Sequence, residues 1–283
     1  MKEYQAALFD AAKYRLAESP FYDPRYDRLS WVDIQDGKVF WRRDGVTCVH
    51  EFGEPVGAAV PLAGEDGFLV AGERTLWKLC RGEQTAVCDL SGAYLPWQRS
   101  NDAKADPHGR LFVGSCAKDF TGMEGGDLYR CDRGVLTVMQ PGTRIANGMA
   151  WSADRKTFWF SDSNEHAVFA YDFDEESGDI ADRRVLFPVE GGVPDGMCVD
   201  AEDRLWLAVW GGSRIECRDG HTGELLALVR VPGLHTTSCC FVGPDWRRLF
   251  ITTAGDGLTG EGDGRLYMCD VDAVGLPPDY AVV

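Results

Sequence analysis

The sequence is poor in the features that mark several large protein classes. Its ten cysteines include no CxxC pair, so neither a zinc ribbon nor a thioredoxin-like redox site is written into it. Most lie in apolar, strand-like runs (Cys80, Cys88, Cys131, Cys198, Cys217, Cys269), where a free thiol behaves as a small hydrophobe. Cys239 and Cys240 are adjacent and in a strand would face opposite ways. This usage fits a reducing compartment better than a disulfide framework. His50, His108, His166, His221 and His235 stand alone, without the paired spacing of a zinc site. Positive charge is scarce: 29 Lys and Arg against 45 Asp and Glu give a formal charge of -16, and such a field repels phosphates. The first ten residues carry charges and no apolar run long enough for a signal peptide or a membrane span. We therefore expect a cytoplasmic protein with no nucleic-acid or membrane partner, a monomer or small homo-oligomer.

Linkers are missing too. The 33 glycines and 13 prolines are scattered, which suggests many tight turns between short strands. With 45% apolar residues the chain can bury a large core, and residues 1–283 are expected to form one domain.

What is present is a repeat. Six apolar, β-rich cores begin at Leu29, Phe68, Leu111, Phe158, Leu205 and Leu249, at spacings of 39, 43, 47, 47 and 44 residues. A second strand-like segment follows each core, from Lys38, Thr75, Asp127, Ala167, Arg214 and Arg265. A third follows in five units, from Val46, Thr85, Val135, Arg183 and Leu225. With the strand preceding each core, that is four per unit. Six four-stranded units of this length predict an all-β, six-bladed β-propeller of antiparallel strands. The sixth unit lacks its outer strand, and the segment from Tyr4 to Ala11 is expected to supply it and close the ring; the competing expectation for that segment is a short helix.

The strands preceding the cores can be compared in register. Ten or eleven positions back from the six cores stand Glu18, Gly57, Asn101, Asn147, Asp195 and Ser238. In a propeller these positions meet on the axis at one mouth of the channel. Asn147-Gly148 and Asp195-Gly196 are each ordinary turn dipeptides taken alone. Together, two carboxylates and two amides facing one another would stay unsatisfied without a cation or donors between them. The all-oxygen set favours one divalent ion of the calcium, magnesium or manganese kind, with zinc or ferrous iron as alternatives. Arg99 would add a fixed positive group beside Asn101, and Trp97, Phe120 and Trp210 are candidate pocket walls. Two long loops, 115–126 and 254–264, are candidate lids.

At these residues the sequence resembles the SMP-30/gluconolactonase/LRE-like family. The likeness rests on Glu18-Ser-Pro with Trp31-Val-Asp-Ile, on Arg99-Ser-Asn101-Asp102-Ala-Lys104-Ala-Asp106, on Asn147-Gly-Met-Ala-Trp-Ser, on Asp195-Gly-Met with Trp210-Gly-Gly, and on Thr237-Ser-Cys with Ile251-Thr-Thr-Ala. It implies a six-bladed propeller that hydrolyses sugar lactones or, in some branches, organophosphates. It implies metal ligation by Glu18, Asn147 and Asp195, substrate contacts from Arg99 and Asn101, and Asp195 doubling as general base. Three positions depart from the family pattern: Ser19 and Ala103 stand where glycine is usual, and Cys116 lies in the segment that helps choose substrate.

The expected reaction is metal-dependent hydrolysis of an aldonolactone. The cation would polarise the lactone carbonyl, and Asp195 or a metal-bound hydroxide would activate water. Ser238 has only His235 nearby and no orienting carboxylate, which argues against an acyl-enzyme. A phosphotriesterase-like activity at the same site, or a non-catalytic scaffold holding a structural ion, are the alternatives.

Overall fold

The computed structural model describes residues 1–119 and 125–283. The chain begins with two short strands, β1 (Lys2–Gln5) and β2 (Ala7–Asp10), and then builds six sheets in sequence. Blade one comprises β3 (Ala17–Asp23), β4 (Arg28–Asp33), β5 (Lys38–Arg43) and β6 (Val46–Glu51). Blade two comprises β7 (Val56–Pro61), β8 (Gly67–Gly72), β9 (Thr75–Cys80) and β10 (Glu83–Asp89). Blade three comprises β11 (Gln98–Ala105), β12 (Leu111–Ala117), β13 (Gly126–Asp132) and β14 (Val135–Thr143). Blade four comprises β15 (Ala146–Trp151), β16 (Thr157–Asp162), β17 (Ala167–Phe173) and β18 (Ile180–Pro188). Blade five comprises β19 (Val193–Val199), β20 (Arg204–Trp210), β21 (Arg214–Asp219) and β22 (Leu225–Arg230). Blade six comprises β23 (His235–Val242), β24 (Arg248–Ala254) and β25 (Leu266–Asp270), and β2 pairs antiparallel with β25 as its outer strand. The expected propeller, its repeat and its closure by the start of the chain are all present.

One addition was not expected. β1 pairs parallel with β22, Lys2 opposite Ala227 and Gln5 opposite Arg230, and gives blade five a fifth strand. The first ten residues thus serve two blades. Among the described residues the sole helical element is a turn of 3-10 helix at Ser163–Glu165, and no helix is long and apolar enough to cross a membrane.

The core is divided among the seams between neighbouring blades. Val32 and Val39 of blade one pack with Val56, Phe68 and Val70 of blade two. Phe112 and Leu128 of blade three pack with Met149, Phe158 and Phe160 of blade four. The ring-closing seam joins Trp31 and Leu29 of blade one to Phe250 and Leu266 of blade six, with Trp31 stacked on Phe40 at 5.6 Å. Burying one such large side chain is worth roughly 2–3 kcal/mol, so each seam supplies a share of stability that no blade has alone.

Every inner strand carries an irregularity at its start. Between Glu18 and Phe21, Val56 and Ala58, Ser100 and Ala103, Ala146 and Met149, Pro194 and Met197, and Thr236 and Ser238, the inner strand advances one residue more than its partner. Such bulges re-aim side chains. Here they fall on or beside the positions that the repeat brings into register. Three of the bulge residues are glycines for want of space: a Cβ on Gly57 would lie 2.0 Å from the backbone oxygen of Asn101, one on Gly148 2.5 Å from that of Asp195, and one on Gly196 2.1 Å from Ser238 Oγ.

Candidate active site

The bulges turn Glu18, Asn101, Asn147 and Asp195 onto the axis at one mouth, where with Arg99 they line a chamber of about 430 Å³. All five are buried. The inner strands belong to separate sheets, and side chains tie them across the seams. Asn101 Nδ2 donates to the carbonyl of Ala146 at 3.0 Å. Asn147 Nδ2 donates to Ser163 Oγ at 3.1 Å, and that hydroxyl donates to the carbonyl of Pro194 at 2.8 Å. Ser161 Oγ donates to the carbonyl of Asp195 at 2.8 Å, and Thr237 Oγ1 to that of Ala17 at 2.6 Å. Glu18, Asn147 and Asp195 therefore each sit at or next to a backbone carbonyl clamped from the adjacent blade.

Blades one and four hold the chain ahead of the inner strand in the same way. The carboxylate of Asp33, at the end of β4, accepts from the N–H of Arg15 at 2.8 Å and of Leu16 at 3.1 Å. Asp162, at the end of β16, accepts from Arg144 and Ile145 at the same two distances. The clamped segments read Arg15-Leu-Ala-Glu18 and Arg144-Ile-Ala-Asn147, so opposite blades present a carboxylate and an amide from one local mould.

The two amides differ in what they have left to offer. Asn101 is engaged at both ends, since its Oδ1 accepts from Arg99 Nη1 at 2.9 Å. Asn147 commits its nitrogen to Ser163 and keeps Oδ1 as the end available to a ligand. Arg99 Nη1 also donates to the carbonyl of Ser100 at 2.8 Å, which fixes the guanidinium in the wall of the chamber.

Electrostatics single out the two carboxylates. Burial pushes the Glu18 carboxyl well above the ordinary range, the charges of Asp195 and Asp102 push it further, and the Ser19 N–H and Arg99 oppose them. Burial likewise raises Asp195, Asp102 adds to it, and hydrogen bonds from Asn147, the Gly196 N–H and Glu18 act against it. A pair held so close in a desolvated site cannot carry two negative charges without a proton or a cation between them. Two carboxylate oxygen donors and an amide oxygen form a set suited to a hard divalent ion whose shell water completes. Asp102 stands off from the pair: among the described residues no three His, Cys, Asp or Glu side chains come together closely enough to hold a metal.

Asp102 is the residue that the register comparison missed. It is 7% exposed, and burial raises its carboxyl against the opposing charge of Lys104 and the Ala103 N–H. Its counterparts in blades one, four and five are Ser19, Gly148 and Gly196, so a carboxylate at that position was the available signal. Ser19 has a φ of 45°, in the left-handed region. The glycine usual there would adopt it without strain, and Ser19 compensates by donating its N–H to Glu18 Oε2 at 2.7 Å.

Of the candidate walls, Trp210 lines the chamber and stacks on His235 at 4.0 Å. Trp97 does not: it is 42% exposed and lies outside the chamber, because the bulge that turns Asn101 inward comes after it. Phe120 falls outside the described residues, as does the middle of the 115–126 loop. The 254–264 loop reaches the site through Asp256, which lines the chamber and accepts from Arg15 Nε at 3.4 Å. Cys116 is fully buried opposite Arg99.

A ring of six blades with a desolvated chamber of carboxylates, amides and arginine on its axis defines a β-propeller with a polar chamber at one mouth of its channel. Residues 16–255 match the SMP-30/gluconolactonase/LRE-like region, and the chain belongs to that family. It is 36% identical to pentonolactonase XacC of Haloferax volcanii, over 93% of each chain, and 33% identical to regucalcin of Gallus gallus, over 94% of each. The solved luciferin-regenerating enzyme superposes with a TM-score of 0.90 at 29% identity, covering 96% of both chains.

Proposed function

We propose that this protein is a cytoplasmic lactonase that hydrolyses a sugar lactone to the aldonic acid, using one divalent cation held by Glu18, Asn147 and Asp195. The family and the pentonolactonase relative support hydrolysis of a sugar lactone. The observation that carries the finer reading is the pair of buried carboxylates, both pushed above their ordinary range by burial, beside an uncommitted amide oxygen. When bound, the cation would supply Lewis acidity at the lactone carbonyl. Asp195 takes the proton of the attacking water, and its strand is fixed for that role by the clamp from Ser161 on its own carbonyl. Arg99, held by Asn101, orients the sugar hydroxyls, and Trp210 offers a flat face to the carbon skeleton. The ten unpaired cysteines support the compartment.

A panel of aldonolactones followed by acid release tests the reading, with metal content measured on protein purified without chelator. Asp195→Asn should lower turnover by about a thousandfold, and Glu18→Gln should lose the metal, with both variants still folded by thermal melt. Full activity in either variant, or the absence of a stoichiometric divalent ion, would remove the assignment.

A further inference from the structure

Lys104 lies two residues beyond Asp102 on β11 and reaches across the channel. Its ammonium donates to the carbonyl of Met197, on β19 of blade five, at 2.8 Å. The side chain thereby links blade three to blade five past the intervening blade and borders the small cavity of about 100 Å³ at the opposite mouth. Its charge is felt at Asp102 above, at Asp279 below, and at Cys198 and Cys240 between them. Asp102 in turn acts on both Glu18 and Asp195. The ammonium is pinned by a neutral carbonyl two residues beyond Asp195, and of the carboxylates above it Asp102 is the one that feels its charge.

Position decides what such a charge does. A flexible surface lysine would be screened within a Debye length of about 10 Å; an ammonium held inside a protein channel is screened far less. It opposes any cation bound among the carboxylates above it. We propose that Lys104 is a fixed internal cation that weakens divalent-ion binding in the upper chamber and so keeps the bound ion exchangeable. The inference rests on the reading that Glu18, Asn147 and Asp195 hold such an ion. It differs from a purely structural role in sign: loss of a structural tie between blades loosens the site, whereas loss of a repelling charge tightens it.

Isothermal titration of the chelated full-length protein with calcium chloride, repeated with manganese chloride, separates the two. Lys104→Met should bind about tenfold more tightly, and Lys104→Arg, which keeps the charge, should bind like the parent. Asp102→Asn removes a charge of the opposite sign and should weaken binding by a similar factor, which supplies a second variant if Lys104→Met fails to fold without metal. Unchanged or weaker binding by Lys104→Met, or unchanged binding by Asp102→Asn, would overturn the proposal while leaving the metal site standing. A parent protein that binds neither ion would overturn both.

Discussion

At the upper mouth the inner strands begin with Glu18, Asn101, Asn147 and Asp195, buried and polar around an open chamber. The same strands reach the lower mouth as Tyr22, Ala105, Trp151 and Val199, around a mostly apolar cavity. The chain's last segment covers that end: Gly275 N–H donates to the carbonyl of Trp246 at 2.8 Å, Ala281 N–H to that of Pro61 at 2.9 Å, and Val282 N–H to that of Gly109 at 2.9 Å. The strap therefore runs from blade six to blades two and three. Within seven residues of one strand the demands change from presenting ligands to sealing a seam. The difference divides these inner strands: their first residues line the chamber, and the rest seal the seams.

Substitutions at the two ends should break apart along that line. The largest effect is expected for Gly148→Ala, whose new Cβ would meet the backbone oxygen of Asp195 at 2.5 Å. Overpacking against backbone costs about 2–3 kcal/mol and displaces Asp195, so urea midpoint and lactone turnover should fall together. Gly64→Ala, where a Cβ would meet nothing, serves as the tolerated control. A smaller change of opposite sign is expected for Ser19→Gly. Relief of the left-handed strain at φ 45° should raise stability by about 1 kcal/mol, read from the same urea curves.

The smallest effect belongs to the lower mouth. Burial first, with Asp106 and Glu175 adding to it and Arg155 and Lys104 opposing, pushes the Asp279 carboxyl up to about 6. The folded state then holds that proton up to about pH 6, while the unfolded chain releases it near its ordinary value of 3.8. The folded state binds more protons in this window, so stability falls as pH rises through it. Asp279→Asn should recover on the order of 1 kcal/mol above pH 6 and nothing near pH 3, seen as a melting shift at neutral pH. Turnover should not move. An Asp279 variant with altered turnover, or a Gly148 variant with full turnover and lowered stability, would dissolve the division between the mouths.

The blade count and the meeting of Glu18, Asn101, Asn147 and Asp195 were legible in the sequence because a repeat fixes register, and register in a closed ring fixes position. Asp102 was not, because comparing one residue per blade cannot see a bulge that exposes the next residue as well. The pairing of β1 with β22 spans four residues and follows no repeat, so periodicity is silent about it. Trp97 was misplaced for a related reason: four residues before the register position, its side chain still belongs to the outer surface. The strap across the lower mouth carries Leu276-Pro-Pro-Asp279, which reads as a loop and acquires its place only from the channel it covers.

The placement of β1 and β2 also orders events in time. During synthesis these strands emerge ahead of blade one, yet their partners β22 and β25 follow blade four. Blades one to four can assemble on the lengthening chain, while the leading strands wait without a ladder to join. Closing the circle is then the final step, and until it occurs the edge of β25 lies bare to a neighbouring chain. A molecule that fails late would go astray there, by lending β2 to another copy's sixth blade.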